Sequence, residues 1–413
     1  MIRILFCICP FFGHVLPTLE IVRQLSSIGY EVYYSTTENF HSLINEAGAN
    51  FVSIDAMHPY YLWDDMEYQN SFSKNDIEKI INYFQSKTVI PETYREWLEQ
   101  TINTLGPSIV LYDYVDGYWA KVIAEKHNIK TIAFCTTFAM CKRIRTDHTL
   151  DFLRYVLRNQ SFDDLCDKTD YNHLLEIINR RIRFLADGDK TFDIASYGNA
   201  RELTIVNALK TMQPYAEYFD NSFVFIGHTI RTKNNSLCFC DKEELIYISL
   251  GTTKANDKTD FFQYCIKELG YSGYNVIMSV PKTVQDNLHF PLPNNIRVDS
   301  FIDQKSILSR AKLFITHAGM NSATESLYYN VPMVSYPIQG DQFIMANQIE
   351  QQGVGITLTD CFPGALHDIV NSVFSNKDLL ERVNKLGEEI RNSGGADLAT
   401  SHIQNKVKDW FSL

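Results

Sequence analysis

Residues 316–342 read THAGMNSATESLYYNVPMVSYPIQGDQ and combine a strand end, a helix start and a second strand. The apolar run KLFIT, residues 312–316, predicts a buried parallel strand, and NSATESLYY behind it has helical character. A strand-to-helix turn aims backbone N–H groups and the positive end of a helix dipole at one point. Gly319 lets the main chain approach a ligand closely, and His317 adds a donor. The stretch therefore predicts an anion site suited to a phosphate.

Two pairs of polar residues in this stretch have competing interpretations. Ser322 and Glu325 fit the S-x-x-E capping box, which would only satisfy N–H groups at a helix start. The second strand, residues 331–337, favours binding, because Asp341 and Gln342 follow it just before another helix. An acid beside an amide at a strand's carboxyl end accepts from and donates to vicinal sugar hydroxyls. Helix capping by Asp341 is the alternative.

The whole segment resembles the signature of the inverting UDP-glycosyltransferases of small molecules, and within them the bacterial macrolide glycosyltransferases. FIDQKSIL, residues 301–308, stands where that family has a W-x-P-Q pattern, and YISLGTT, residues 247–253, stands at its phosphate-contacting strand and loop. Residues 10–40 resemble the loop that carries the family's catalytic histidine. The resemblance covers nearly the whole chain and is weak only at residues 59–105 and 142–202.

The resemblance implies a set of residues that bind the sugar nucleotide: Thr252, Phe301, Gln304, His317, Gly319, Asn321, Ser322, Glu325, Asp341 and Gln342. In this set Gln304 reads the uracil and Glu325 binds the ribose hydroxyls. Asp341 and Gln342 hold the sugar. Phe301 replaces the family's base-stacking Trp with a smaller ring, and Asp303 replaces a Pro, so we expect donor affinity or base preference to differ.

Catalysis is expected at the N-terminal loop. His14 follows the first predicted strand at a helix start, where a neutral imidazole takes a proton from a hydroxyl as the oxygen attacks a sugar. A cap or surface role is the alternative. Asp113 follows the strand IVLY at the same sheet edge, and in the resembling family that aspartate holds the other ring nitrogen. Asp116 is the backup, and helix capping competes for Asp113.

Apolar runs alternate with helical patterns, which predicts an α/β protein with parallel sheets. The predicted strands of the first half are residues 2–9, 31–35, 51–54, 109–112, 131–134, 202–206 and 223–226. Those of the second half are residues 245–250, 275–280, 296–299, 313–316, 332–335 and 355–358. Two doubly wound, Rossmann-like domains result. Such sheets bind ligands at the carboxyl ends of their strands, and the GT-B architecture that the resemblance implies has the two domains facing across one cleft.

The chain has 413 residues, more than one core usually serves, so two domains of about 200 residues each are expected. Residues 231–241 turn polar without periodicity and form the predicted linker. Residues 1–230 are assigned to an acceptor-binding domain and residues 242–395 to a UDP-sugar-binding domain. By resemblance, the final helix, residues 396–413, crosses back to the first domain.

Composition and short patterns exclude other classes of protein. The net charge of −11 argues against a nucleic-acid partner, and no run reaches the ~20 apolar residues of a membrane span. Pro10 interrupts the apolar start and no cleavage site follows, so we predict a buried strand, no signal peptide and a cytoplasmic protein. Cys7 and Cys9 are expected on one face of that strand as reduced thiols.

Neither metal-like pattern in the sequence predicts a metal site. Cys238-x-Cys240 lacks a second Cys or His pair at zinc spacing. The DxD triplet at residues 187–189 stands in a polar turn, which indicates a solvated loop. We therefore expect no metal and no cofactor, with the UDP-sugar as co-substrate and the departing charge held by a helix dipole, His317, Thr252 and backbone amides.

The acceptor is the least defined partner. Residues 57–72 and 138–157 are rich in aromatic and Met side chains and follow strand ends, so they are candidates to line an apolar pocket. Interior packing is the competing interpretation. If the pocket exists, its acceptor is a small hydrophobic hydroxylated molecule such as a macrolide, polyketide or phenol.

The predicted function is an inverting, metal-independent transfer of a hexose, glucose in the first instance, from UDP to such a hydroxyl. A transferase for a lipid-linked or cell-wall precursor is one alternative, although that class generally has a glycine-rich first loop and PFFGH has only Gly13. The others are a non-catalytic sugar-nucleotide-binding activator protein and a UDP-sugar epimerase, which needs no acceptor pocket.

Overall fold

The computed structural model describes residues 2–54, 91–115, 117–152, 175–176, 179–180, 193–196, 198–229, 244–251, 258–288, 291–338 and 340–412. The chain separates into two compact units. Unit 1 consists of Met1–Thr229 with Gly394–Leu413, and unit 2 consists of Ile230–Ser393. The predicted linker and the DxD triplet lie outside the described residues. No helix in the described ranges combines the length and apolar character needed to cross a bilayer.

Unit 1 has a sheet of seven parallel strands in the order β3-β2-β1-β4-β5-β6-β7. The strands are β1 (Arg3–Cys7), β2 (Glu31–Thr36), β3 (Asn50–Ser53), β4 (Ile109–Asp113), β5 (Lys130–Cys135), β6 (Thr204–Val206) and β7 (Phe223–Phe225). Its first helices are α1 (Phe12–Ser27), α2 (His41–Glu46), α3 (Glu92–Leu105), α4 (Tyr118–Lys126) and α5 (Lys142–Asp147). The central strands are continuous apolar runs buried on both faces, as expected when helices cover a parallel sheet. The strand order reverses between β1 and β4.

Unit 2 has a second parallel sheet, of six strands in the order β10-β9-β8-β11-β12-β13. The strands are β8 (Leu245–Ser249), β9 (Asn275–Ser279), β10 (Ile296–Asp299), β11 (Leu313–Thr316), β12 (Met333–Ser335) and β13 (Gly355–Thr357). The helices are α6 (Thr259–Leu269), α7 (Lys282–Gln285), α8 (Gln304–Leu308), α9 (Met320–Tyr328), α10 (Asp341–Gln351), α11 (Ala365–Ser375) and α12 (Lys377–Arg391). Here the order reverses between β8 and β11, so each sheet has its own switch point, where such folds bind ligands.

The last helix, α13 (Gly395–Phe411), belongs to unit 1 and packs against α1. Ala399, Ile403 and Val407 of this helix join the same apolar core as the β1 side chains. Nε2 of Gln24 in α1 donates to Oδ1 of Asp397 at 2.6 Å. The C-terminal residues therefore support the helix on which His14 lies.

The α/β class with parallel sheets is confirmed, and every predicted strand is present with ends that shift by up to two residues. One detail of the first strand was wrong. Because β1 ends at Cys7, Cys9 lies beyond the strand and does not share a strand face with Cys7. Both thiols are buried and free of disulfides.

Candidate active site

His14 and Asp113 meet at the switch point of unit 1. His14 is in the first turn of α1, directly after β1, and Asp113 is the last residue of β4, which pairs with β1. Nδ1 of His14 lies 2.6 Å from Oδ2 of Asp113, although 99 positions separate the residues. The His14 side chain is 18% exposed and that of Asp113 only 1%. A buried carboxylate therefore accepts Nδ1–H, which makes Nε2 the basic ring nitrogen.

The surroundings of Asp113 keep it ionised. Burial alone would raise the pKa of this carboxyl, but the charge and hydrogen bond of His14 outweigh burial, and the pKa falls below its ordinary value. Oδ1 of Asp113 also accepts the backbone N–H of Val115 at 2.9 Å. The turn behind it is tight, because a Cβ on Gly117 would lie 2.3 Å from the Asp113 carbonyl oxygen. Asp113 is thus a fixed anion rather than a helix cap.

Two neighbours of this pair were missed by sequence reasoning. Oγ1 of Thr136, just after β5, lies 3.2 Å from Nδ1 of His14. The thiol of Cys9, just after β1, has its sulfur within 4.8 Å of ligand atoms of His14 and Asp113. Cys9 and Thr136 follow the two strands that pair with β4, β1 and β5, at the same sheet edge, and this position is the signal that could have found them. Asp116, the backup for Asp113, lies outside the described residues.

In unit 2, His317 follows β11 and is enclosed by two glycines. A Cβ on Gly319 would lie 2.4 Å from Nε2 of His317, and one on Gly251 would lie 2.7 Å from Cε1. Ala318, between His317 and Gly319 in the chain, has φ of +60°, a left-handed conformation uncommon for a residue with a side chain. Only glycines let the backbone lie this close to the ring. The imidazole is therefore held rigidly at the second switch point.

His317 is held neutral. Its burial lowers the pKa to about 4, against a weaker opposing effect of a hydrogen bond with the Ser249 backbone. Nδ1 is buried and has no hydrogen-bond partner among the described residues. A buried ring nitrogen beside two glycines is positioned to hydrogen-bond a polar atom of a ligand.

Helix α9 starts beside His317. Its N-cap is Gly319, no side chain caps it, and no acidic residue lies in its first turn. Ser322 and Glu325 are inside the helix, so the capping-box alternative was wrong. At the other end, Nη1 of Arg391 donates to the Tyr328 carbonyl at 2.5 Å. No acidic side chain of the described residues lies in the first turn of α9, so the positive end of the helix dipole suits a phosphate.

The remaining donor-set residues of unit 2 form a second group. Nε2 of Gln304 donates to Oε2 of Glu325 at 2.8 Å and lies 3.4 Å from Oγ of Ser322. Burial raises the pKa of Glu325. Phe301 is 87% exposed, so its ring is available for stacking. Asp303 is the N-cap of α8, which gives the departure from the Pro pattern a structural role.

Asp341 and Gln342 begin α10, with Gly340 as the N-cap. Asp341 is therefore the first helical residue rather than the cap. Gln342 is buried, and its amide oxygen accepts the N–H of Ile338 at 2.8 Å, which holds the preceding loop. Thr252 lies outside the described residues.

Of the two candidate acceptor segments, residues 57–72 and 153–157 lie outside the described residues. In the described part of the other segment, Phe138, Met140 and Phe152 are buried, so these side chains pack in the interior of unit 1. Exposed apolar side chains occur instead around His14: Phe11 is 44%, Phe12 50% and Leu16 48% exposed. The rings of Phe11 and His14 have their centroids 5.8 Å apart.

The close approach of Gly251 and Gly319 to the His317 ring predicts that one methyl group added at residue 319 has a large effect. We expect Gly319→Ala to weaken UDP binding at least tenfold and to lower the free energy of unfolding by about 1–3 kcal/mol, because the Cβ overlaps Nε2 of His317. Calorimetric titration with UDP and urea unfolding measure the two effects. Gly273→Ala is the matched control, since nothing lies within 4 Å of its Cβ. Equal UDP affinity in both variants would contradict the prediction.

The buried imidazole also predicts a pH dependence of stability. The unfolded chain binds a proton at His317 near pH 6.5, whereas the folded chain does so only near pH 4. Stability is therefore complete above pH 6.5 and is lost as the pH falls towards 4. Relative to His317→Gln, we expect the unliganded wild type to lose about 2 kcal/mol between about pH 7.5 and about pH 5. Urea unfolding at each pH measures the free energy of unfolding. The same change of this free energy with pH in both proteins would refute the prediction.

Comparison with known proteins agrees with this arrangement. Residues 239–386 match the family model described as "UDP-glucoronosyl and UDP-glucosyl transferase". The chain is 29% identical over 404 residues to NDP-glycosyltransferase YjiC of Bacillus subtilis (strain 168), covering 97% of this chain and 96% of that one. It is 21% identical to oleandomycin glycosyltransferase of Streptomyces antibioticus, covering 96% and 88%.

The fold is shared with solved structures of glycosyltransferases. The calicheamicin glycosyltransferase CalG4 superposes with a TM-score of 0.75 at 21% identity and 98% coverage of both chains. Two parallel Rossmann-like sheets, each with a ligand-binding switch point, are the GT-B design. From its relatives, the family model matched over residues 239–386 and this fold, the chain is an enzyme similar to the UDP-glycosyltransferases.

Proposed function

We propose that this enzyme transfers a hexose, most simply glucose, from UDP to a hydroxyl group of a small hydrophobic acceptor, with inversion and without a metal. The observation that carries the proposal is the 2.6 Å contact between Nδ1 of His14 and Oδ2 of Asp113. It orients a neutral imidazole as a general base. Unit 1 activates the acceptor, and unit 2 binds the donor.

In the proposed step, Nε2 of His14 takes the proton of the acceptor hydroxyl while the oxygen attacks the anomeric carbon and the bond to UDP breaks. Asp113 stabilises the imidazolium that forms. Inversion follows from a single displacement. A double displacement would need a carboxylate nucleophile, and Asp113 is unsuited to that role because it is buried and engaged by His14 and Val115.

The leaving diphosphate gains negative charge, which unit 2 is proposed to neutralise. The amino terminus of α9, which no side chain caps among the described residues, offers backbone N–H groups. These groups are fixed before the reaction, so no reorganisation is needed. This supports a reaction that proceeds without a divalent cation.

The nature of the donor and acceptor is inferred from the rest of the two sites. The Gln304–Glu325 pair and the exposed ring of Phe301 suit a nucleoside, and Asp341 at the start of α10 suits sugar hydroxyls. The exposed side chains of Phe11, Phe12 and Leu16 beside His14 favour an apolar acceptor, since such exposed apolar groups commonly mark ligand sites. One relative is named for the macrolide oleandomycin.

The test is a matrix of UDP- and TDP-sugars against macrolide, polyketide and phenolic acceptors, with products identified by mass and anomeric configuration by NMR. We expect a β-linked hexoside from an α-linked UDP-sugar, at an unchanged rate in excess EDTA. Nucleotide binding without product from any pair would favour an activator protein. A retained α-configuration, or loss of activity in EDTA that Mg²⁺ restores, would exclude the proposed mechanism.

A further inference from the structure

We propose that Cys9, His14 and Asp113 form an inhibitory site for Zn²⁺ and other thiophilic divalent cations. The thiol sulfur, an imidazole nitrogen and a carboxylate oxygen of these residues all lie within 4.8 Å of one another. Donor atoms around a tetrahedral zinc ion lie about 3.3–3.6 Å apart. Small side-chain movements therefore bring the three donors to coordination distance.

The three donors come from rigid elements. Cys9 follows the end of β1, Asp113 ends the adjacent strand β4, and His14 lies in the first turn of α1. Cys9 and Asp113 are almost completely buried, and His14 is the partly exposed member through which an ion reaches them. A preformed donor set of this kind loses little conformational entropy when it binds an ion.

The donor set selects the class of cation. A thiolate, an imidazole and a carboxylate suit borderline ions such as Zn²⁺, whereas Mg²⁺, Ca²⁺ and Mn²⁺ prefer oxygen donors. Three protein ligands leave a fourth position for water. Charge also balances, since the thiolate of Cys9 and the carboxylate of Asp113 neutralise the two charges of the ion in a buried place.

Occupation of the site would abolish the base. The cation binds Nδ1 of His14, the nitrogen beside Asp113, and the proton of Nδ1 moves through solvent to Nε2. In the tautomer that remains, Nε2 carries the hydrogen and has no lone pair for the acceptor's proton. Cys9 loses its thiol proton to solvent as its sulfur binds the cation, so no redox step is involved. The binding step stands alone, and the inhibition rests on the proposed role of His14 as base.

Cadmium provides a direct readout, because a Cd²⁺–thiolate bond gives ultraviolet charge-transfer absorption. We expect the metal-free protein, without nucleotide, to gain the absorption of one Cd²⁺ bound at this site when Cd²⁺ is added. The Cys9→Ser variant should lack this part of the absorption. Cys7→Ser is the matched control, since Cys7 is buried on the same segment outside the cluster. Equal absorption in wild type and Cys9→Ser would overturn the site.

Inhibition is measured separately. We expect Zn²⁺ to suppress glycosyl transfer, EDTA to restore it, Mg²⁺ at the same concentration to have no effect, and Cys9→Ser to need at least tenfold more Zn²⁺ for half-inhibition. Equal zinc sensitivity in both proteins would overturn the inhibitory role. Cadmium absorption that depends on Cys9, in a protein whose transfer Zn²⁺ leaves unchanged, would keep the metal site and refute His14 as base. If transfer requires His14 but cadmium gives no absorption that depends on Cys9, the role of His14 as base is kept and the metal site is refuted.

Discussion

Replacement of His14 by Ala is expected to lower kcat by about 10²–10⁴-fold, the contribution typical of a general base. The ring of His14 lies in unit 1, whereas the groups assigned to the diphosphate lie in unit 2, so the dissociation constant for UDP should stay within about twofold of wild type. Steady-state kinetics and calorimetric titration with UDP measure the two quantities.

His41→Ala is the matched control for this variant. Nδ1 of His41 also contacts a carboxylate, Oε1 of Glu38 at 2.7 Å, but on the exposed surface of unit 1. Its kcat should equal that of the wild type. A His14→Ala enzyme that turns over at the wild-type rate would remove the proposed base. Loss of UDP binding in that variant would instead indicate a disrupted fold.

Asp113→Asn is expected to reduce kcat by about 10³–10⁴-fold with little change in KM, by analogy with the triads in which the same exchange reverses the imidazole tautomer. The amide group of Asn donates to Nδ1, so the ring proton moves to Nε2. Nε2 then has no lone pair that can take the proton of the acceptor hydroxyl. The depressed pKa of Asp113 implies that the wild-type carboxylate is ionised throughout the working pH range.

The pH profile separates this role from simple support of the fold. In Asp113→Asn the acid limb of the kcat profile should move to lower pH, because the imidazolium has lost its anionic partner. Glu38→Gln, at the exposed His41 pair, is the control and should leave the profile unchanged. A normal rate and profile for Asp113→Asn would transfer the orienting role to Asp116 or to solvent.

The pairing of His14 with Asp113 was predictable although the residues are distant in the chain. Both follow continuous apolar runs, and parallel strands present their carboxyl ends at one sheet edge. The same reasoning predicted the position of His317 and Gly319 at the carboxyl end of a strand, since a strand-to-helix turn has a characteristic local pattern. Periodicity and chain direction place these residues at the strand ends, whereas their roles are what the resemblance to the UDP-glycosyltransferases implies.

Local sequence patterns left some alternatives open, and packing decides between them. The S-x-x-E motif at Ser322 offered a helix cap as the alternative to ligand binding, but the helix begins earlier, at Met320, with Gly319 as its N-cap. The aromatic residues Phe138 and Phe152 are in the interior, whereas the exposed apolar side chains are those around His14. Whether an apolar side chain is buried depends on its neighbours in space, which a single segment does not specify.

The order of residues along the chain was enough to establish the α/β class and the strands, because apolar periodicity and turn chemistry are local properties. The candidate site residues came from the strand-to-helix turns together with the family resemblance. Only the folded chain brought Cys9 and Thr136 beside His14, enclosed His317 between two glycines and left its Nδ1 without a partner among the described residues. These features come from contacts between strands distant in sequence. Distances of a few ångströms, burial and pKa shifts therefore follow from packing.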